Sequence, residues 1–212
     1  MFEDRKDAGK KLGKALARYK DSDALVLAIP RGGVEVGYYV AEKLGSPLSI
    51  IVVRKLPFPD NPEAGFGALA EDGSAFFIDR FCNRVSSNVT EGIIEEQKKE
   101  LERRVEVSRK GKSLPEINGK RVILVDDGIA MGSTIRAAVK LCKNKKAGEI
   151  IVAAPVASPE TVEEIGRTVD EVIVLEQPVF FGAVAQAYKK WYDVPDDEVI
   201  RIMESTGFYE ES

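Results

Sequence analysis

Five short apolar runs punctuate the chain: Ala24 to Ile29, Leu48 to Val53, Arg121 to Val125, Glu149 to Ala154 and Glu171 to Leu175. Their apolar residues follow one another without alternation, the pattern of strands buried on both faces. Between them, helical spacing runs over Val34 to Leu44, about Thr90 to Lys110, Ser133 to Lys145 and Pro159 to Thr168. In the last of these Ser158 caps and Pro159 takes the first turn. Alternating strands and helices predict an α/β sheet protein with right-handed crossovers. Ahead of the first strand, Leu12, Leu16 and Tyr19 fall at helical spacing, so Glu3 to Lys20 reads as an amphipathic helix packed beside the sheet.

Two stretches break the rhythm. Leu56 to Gly67 is rich in proline and glycine and reads as a long mobile loop. After it, Phe66 to Glu71 and Ala75 to Asp79 flank Asp72-Gly73-Ser74, the composition of a β-hairpin. From Gln177 onwards the chain is at its most aromatic, with Phe180, Phe181, Tyr188, Trp191 and Tyr192, and this tail is expected to cap the sheet. With no repeat or low-complexity tract, residues 1–212 read as one domain, with a core over about 21–176 and a hood from the N-terminal helix, residues 177–212 or both.

Composition narrows the chemistry. The 212 residues include no histidine, which excludes Ser-His-Asp and Cys-His machinery, His-ligated zinc and a histidine pH switch. Two cysteines, Cys82 and Cys142, and a polar opening, MFEDRKDAGKK, point to the cytoplasm with both thiols reduced. No apolar run approaches the roughly 20 residues that cross a bilayer, so no membrane role is expected. A formal net charge of −4 argues against nucleic acid as a partner and for a small-molecule substrate.

The strongest signal is Val122-Ile123-Leu124-Val125-Asp126-Asp127-Gly128-Ile129-Ala130-Met131-Gly132-Ser133-Thr134: a buried strand, two acids, and a small-residue loop opening a helix. Ligands bind open α/β sheets at the carboxyl ends of the strands, and successive amides at a helix N-terminus bind anions. A phosphate would sit over residues 129 to 134, where Gly128 and Gly132 allow close approach and Ser133 and Thr134 add hydroxyls. Asp126 and Asp127 are placed to accept from sugar hydroxyls. Phosphate plus diol describes a ribose 5-phosphate group.

This segment resembles the phosphoribosyl pyrophosphate signature of the type I phosphoribosyltransferases. The resemblance implies an open, mostly parallel twisted sheet with helices on both faces, a small hood and a β-hairpin with a flexible loop. It also implies that Asp126 and Asp127 hold the ribose hydroxyls and that Gly128, Ile129, Ala130, Met131, Gly132, Ser133 and Thr134 take the 5′-phosphate. Met131 stands where many members have Thr or Ser. Ala130 replaces the acid of hypoxanthine-guanine enzymes, which weakens a hypoxanthine or guanine assignment.

Pro30-Arg31-Gly32-Gly33 follows the first strand and brings an amide-rich nest and a guanidinium to the same sheet edge. The family binds pyrophosphate at that turn, often through a strained peptide bond, for which Arg31-Gly32 is the expected position. Arg54 and Lys55 end the second strand and can clamp a pyrophosphate leaving group. The Gly67 to Gly73 run, with Pro30-Arg31-Gly32-Gly33 and Arg54-Lys55-Leu56, further resembles a branch described only as predicted phosphoribosyltransferases. Glu71 and Asp72 read either as solvated hairpin acids or as metal or base contacts, and the charged helix from Thr90 to Lys110 as a solvated face.

The implied reaction is a Mg2+-dependent transfer of the phosphoribosyl group to a small nitrogenous base, with pyrophosphate leaving. Asp126, Asp127, Arg54 and Lys55 carry the catalysis, and Arg31, Gly32 and Gly33 join Arg54 and Lys55 in holding pyrophosphate. Phe180 and Phe181 are the candidates for stacking on the base; no direct protein ligand to the metal is assigned. A homodimer is expected from the family. A non-catalytic sensor of phosphoribosyl pyrophosphate, or a hydrolase or phosphorylase acting on a phosphorylated ribose, are the alternatives.

Overall fold

The computed structural model describes residues 1–81 and 84–209. In chain order the elements are α1 (Arg5–Ala15), β1 (Ala24–Ala28), α2 (Gly32–Leu44), β2 (Leu48–Ile50), β3 (Val53–Phe58), β4 (Asn61–Ala70), β5 (Ala75–Phe77) and α3 (Ser87–Arg109). They continue with β6 (Arg121–Val125), α4 (Ser133–Asn144), β7 (Glu149–Val156), α5 (Pro159–Gly166), β8 (Glu171–Glu176) and α6 (Asp196–Ser205). Five parallel strands form the main sheet in the order β2-β1-β6-β7-β8. The chain steps from β1 outward to β2 but from β6 outward to β8, so the winding reverses between β1 and β6. A crevice opens at the carboxyl end of such a reversal.

Unalternated apolar strands leave both faces greasy, and the structure covers both. Val26, Ile123 and Ile151 face α1, α2 and α6, while Leu27, Leu124 and Val152 face α4 and α5. Buried side chains of this size each contribute about 1.5–3 kcal/mol of transfer free energy. Cys142 of α4 lies within the second layer, where burial pushes its thiol up to about 12.

Helix α1 lies on α2 with almost no side chain between them. A Cβ added at Gly9 would come within 2.9 Å of Tyr39 Cβ and of the Val36 carbonyl, and one at Gly13 within 2.9 Å of Lys43 Cβ. Asp4 caps α1 by accepting from the Asp7 amide at 2.8 Å, and Leu12 and Leu16 are fully buried beneath the helix. The expected N-terminal helix therefore forms, but stops at Ala15 and is followed by a short 3-10 turn at Ala17–Tyr19.

The stretch expected to be a loop is instead most of an antiparallel arm, ordered β3-β4-β5. Its prolines and glycines are those of an irregular ladder: the pairing register shifts on both sides of Pro57, and Gly67 packs against the Phe76 carbonyl. Phe58 sits 5.7 Å from Phe66 and 5.3 Å from Phe81 between ring centres. The second strand is also shorter than expected, ending at Ile50, because Val52 turns away to exchange hydrogen bonds with Glu71. The expected hairpin around Asp72-Gly73-Ser74 is present as β4 and β5.

The two hairpin acids part: Asp72 stays exposed, whereas Glu71 turns inward. Asp72 accepts from the Ser74 amide, and Glu71 accepts from the Val52 amide and pairs with Arg109 of α3, whose side chain is 1% exposed. Arg109 also donates to the Ile50 carbonyl at 3.0 Å, so one guanidinium joins the arm, α3 and the end of β2. After β8 the tail passes through a short turn at Val184–Ala187 and then forms α6, a helix absent from the sequence reading. Val199 and Met203 of α6 are buried in the core, and the helix packs on α2 and α3.

Removing one partner of a buried ion pair leaves an uncompensated charge, at a cost of about 3–5 kcal/mol. Glu71→Ala is expected to lose about that much in denaturant unfolding. A loss below about 1 kcal/mol, the range of an exposed pair, would show that the pair does not anchor the arm.

Candidate functional site

Strand β6 ends at the crevice, and the next two residues are acids. Asp126 and Asp127 are both partly buried, with 13% of the Asp127 side chain exposed, and Asp126 Oδ1 accepts from the Asp127 amide at 2.9 Å. Burial, and then the charge of Asp127, hold the Asp126 carboxyl well above the usual carboxylate range. Burial also raises Asp127, but Arg5 opposes the rise. Across the crevice the turn after β1 closes on the same pair. A Cβ at Gly32 would overlap the Asp127 carboxylate, and one at Gly33 would sit 3.0 Å from the Asp126 Cα. Glycine is what permits this approach.

Arg5, a residue the motif reading missed, is the cation that meets these acids. Its Nε donates to Asp127 Oδ2 at 2.8 Å, one terminal nitrogen donates to the Tyr192 carbonyl at 3.0 Å, and its side chain is 3% exposed. The guanidinium lies 4.1 Å from the centre of the Trp191 ring. Tyr188, buried beneath, donates its hydroxyl to the Asp127 carbonyl at 2.5 Å. The sequence held one signal. Arg5 is the first residue of a helix, where the dipole disfavours a cation, so a tertiary anion is required to hold it there.

Gly132 adopts a left-handed φ of 72° and starts α4 without any side-chain cap. The first-turn amides of Ser133 and Thr134 therefore lack intrahelical acceptors and face the loop. The candidate phosphate residues divide here. Gly128 packs against Val184 and Val156, and Ile129 is buried with its amide donating to the Val156 carbonyl at 2.8 Å. That leaves residues 130 to 134 as the part able to face an anion. Thr161 of α5 holds the loop by donating to the Ala130 carbonyl at 2.9 Å, and Met131 stays 42% exposed.

Arg31 precedes α2, Arg54 lies on β3, and Arg103 and Arg104 come from the charged face of α3. Arg31 and Arg103 approach Asp196 of α6 at 3.5 and 3.9 Å, and Arg103 and Arg104 pair with Glu100. Arg54 donates to Gln97 of α3 at 3.1 Å. Burial, then the nearby charge of Arg104, with Arg103 and Arg31 adding to it, depress the Arg54 pKa. The hydrogen bond from Arg103 leads in pulling Glu100 down to about 2. Four arginines thus gather around two carboxylates, and the α3 face read as solvated is half of the cluster. Arg54 and Lys55 do not end the second strand as expected but lie within β3, where Lys55 is exposed and its stem crosses Gly65. The cis peptide is Pro30–Arg31, one bond earlier than expected; Gly32 already belongs to α2.

The two aromatic candidates separate. Phe181 lines a cavity of about 590 Å3 together with Phe76, Arg80, Ala130, Met131 and Arg136, whereas Phe180 is 96% exposed. Among the described residues no three acidic or thiol side chains converge into a metal cage. No described helix is long and apolar enough to cross a membrane. Cys82 lies outside the described residues.

A family model for a phosphoribosyl transferase domain matches residues 3–189. A curated Mycobacterium tuberculosis protein named "putative phosphoribosyl transferase" is 36% identical over 206 residues, which is 96% of this chain and 46% of that protein. The chain thus spans about half the length of the curated relatives it matches. The crystal structure of TT1426 from Thermus thermophilus is 35% identical and superposes with a TM-score of 0.80, covering 97% of this chain and 98% of that one.

Two predictions follow from the crevice. Gly32→Ala is expected to lose about 1–3 kcal/mol of stability in thermal unfolding through overpacking, whereas Gly92→Ala, on an exposed turn of α3 with open space around it, should gain about 0.5–1 kcal/mol. Equal effects would remove the close-packing argument. Asp126 has a folded-state pKa above its unfolded value, so its contribution to stability is full below the unfolded carboxylate range and is lost as pH rises through the raised value. Asp126→Asn is expected to flatten the loss of stability from acidic towards neutral pH, measured by denaturant titration at each pH.

Proposed function

Because the chain belongs to the phosphoribosyltransferase family, we propose that it transfers the phosphoribosyl group of phosphoribosyl pyrophosphate to a small nitrogenous base, releasing pyrophosphate. The observation that carries this reading is the crevice between β1 and β6, where an acid pair lies between an uncapped helix start and an arginine cluster. One ligand with a phosphate at one end, a diol in the middle and a pyrophosphate at the other matches that order. Residues 130 to 134 take the 5′-phosphate through backbone amides and the Ser133 and Thr134 hydroxyls. Asp126 and Asp127 accept from the ribose hydroxyls and offset the positive charge that grows at the anomeric carbon.

Arg31 and Arg54, joined by Arg103 and Arg104, take the pyrophosphate together with Lys55 and the amides of Gly32 and Gly33. As the bond from the anomeric carbon to the pyrophosphate oxygen breaks, its electron pair leaves with pyrophosphate, and the guanidinium groups stabilise that charge. A base nitrogen then bonds to the anomeric carbon and passes its proton to solvent water or to the released pyrophosphate. The cavity beside Phe181 and Ala130 is the place proposed for the base. Magnesium would be held by sugar and phosphate oxygens and by water, and would supply charge neutralisation at the leaving group. A cytoplasmic homodimer completes the proposal.

The test is calorimetric titration with phosphoribosyl pyrophosphate and magnesium, beside a pyrophosphate-release screen over purines, pyrimidines and small aromatic amides. Base-dependent release, abolished by a chelator, is the expected result; binding without release from any base would favour a sensor, and no binding would overturn the assignment. Hydrogen bonds to charged groups are worth about 1.5–3 kcal/mol, or about 10- to 100-fold in affinity. Arg54→Met and Arg104→Met are each expected to weaken pyrophosphate binding by that factor while leaving ribose 5-phosphate binding within about twofold.

A further inference from the structure

The acid pair is partly buried in the crevice, and one fully buried side chain from the far end of the sequence answers it. Arg5 is buried to 3% exposure, and its contacts are divided among Asp127, the Tyr192 carbonyl and the Trp191 ring. The groups facing Asp127 are few: Asp126 beside it, Arg5 from α1, the Tyr188 hydroxyl from the tail, and Glu35 of α2, which is close enough to act on Tyr188. Among the described residues of that set Arg5 is the one cation. Replacing a buried ion pair with apolar residues is often neutral or stabilising, so the fold itself has little need of this one.

A sugar site does need it. Two adjacent carboxyls taken out of water are both driven towards the neutral acid, and a neutral acid neither accepts well from a diol nor offsets charge at an anomeric carbon. We propose that Arg5 is a positioning residue for the ribose-diol site: it pins one oxygen of Asp127 and keeps that side chain a carboxylate, leaving Asp127 Oδ1 to receive a sugar hydroxyl. This rests on the transferase reading of the acid pair. Through this one guanidinium α1 and the Trp191–Tyr192 segment act on the sugar site.

The experiment follows the Asp127 side-chain carboxyl by 13C NMR across pH in the ligand-free full chain, its resonance assigned with Asp127→Asn, for the wild type, Arg5→Gln and Arg5→Lys. Calorimetric binding of ribose 5-phosphate and of phosphoribosyl pyrophosphate with magnesium is measured over the same range. Trp191, the single tryptophan of the chain, reports by its emission whether the guanidinium still lies on its ring. In Arg5→Gln the Asp127 titration is expected to move upward. Each unit of that movement lowers the ionised fraction below it about tenfold. Binding of both ligands should then fall at neutral pH and recover as the solution is made alkaline, with Arg5→Lys keeping most of the wild-type behaviour.

An unchanged Asp127 titration in Arg5→Gln, or binding weakened by the same factor at every pH, would overturn the proposal. If Arg5→Gln does not fold, Arg5→Lys decides through the same two profiles: titration and binding close to wild type support the charge role, and a pH-independent loss of binding refutes it. Should the wild type bind neither ligand, the transferase reading fails, and the ligand-free titration still decides whether Arg5 sets the charge of Asp127.

Discussion

Two carboxylic acids side by side inside a protein are a costly arrangement, because each loses its hydration and each repels the other's charge. Asp126 and Asp127 are in that position at the end of β6, with both carboxyls raised by burial. Much of the surrounding architecture follows from accommodating them. The β1 turn approaches through glycines because anything larger would strike the carboxylates, and the first helix brings Arg5 inward against its own dipole. The tail supplies a carbonyl and a ring to hold that arginine, and a tyrosine hydroxyl to hold the Asp127 backbone. Residues more than a hundred positions apart are thereby tied to one strand end.

The opposite sign gathers a short way off. Arg31, Arg54, Arg103 and Arg104 come from three contexts, a turn, a strand and a helix; Arg31, Arg103 and Arg104 pair with Glu100 or Asp196, and Arg54 donates to Gln97. Neither carboxylate is enough to neutralise the group, and burial, then the charge of Arg104, lowers the Arg54 pKa. Acid on one side and base on the other make a crevice with a strong local field, which suits a ligand whose two ends differ in charge.

Much of the main sheet was legible because strands buried on both faces leave an unmistakable run of apolar residues, and because β6 carries the acids and glycines of a recognised signature. Within the arm, the β4–β5 hairpin was legible but the β3–β4 ladder was not. Pro57, Pro59, Gly65 and Gly67 are breakers in local statistics, yet they serve a bulged ladder closed by Phe58, Phe66 and Phe81, contacts that only tertiary structure brings together. The α3 face is mostly solvated as read, with Arg103 51% exposed and Arg104 paired within the helix to Glu100; what local sequence could not show is Asp196, some ninety residues from Arg103. Helix α6 hid behind the aromatic residues that precede it, although Val199 and Met203 at helical spacing after three acids marked its start. Arg5 was visible only as a charge at the wrong end of a helix.

The glycine groove between α1 and α2 sets where Arg5 arrives. At Gly9 the α1 backbone lies on the Val36 carbonyl and the Tyr39 Cβ, and at Gly13 on the Lys43 side-chain stem, so the glycines set how close the two helices come. A methyl group at Gly9 would lift α1 and carry the guanidinium with it, altering a sugar site it never touches. Mutational tolerance along this chain should therefore track distance from the α1–α2 contact as well as distance from the ligand, and a survey of substitutions would find part of the active site mapped onto two glycines on the back of the molecule.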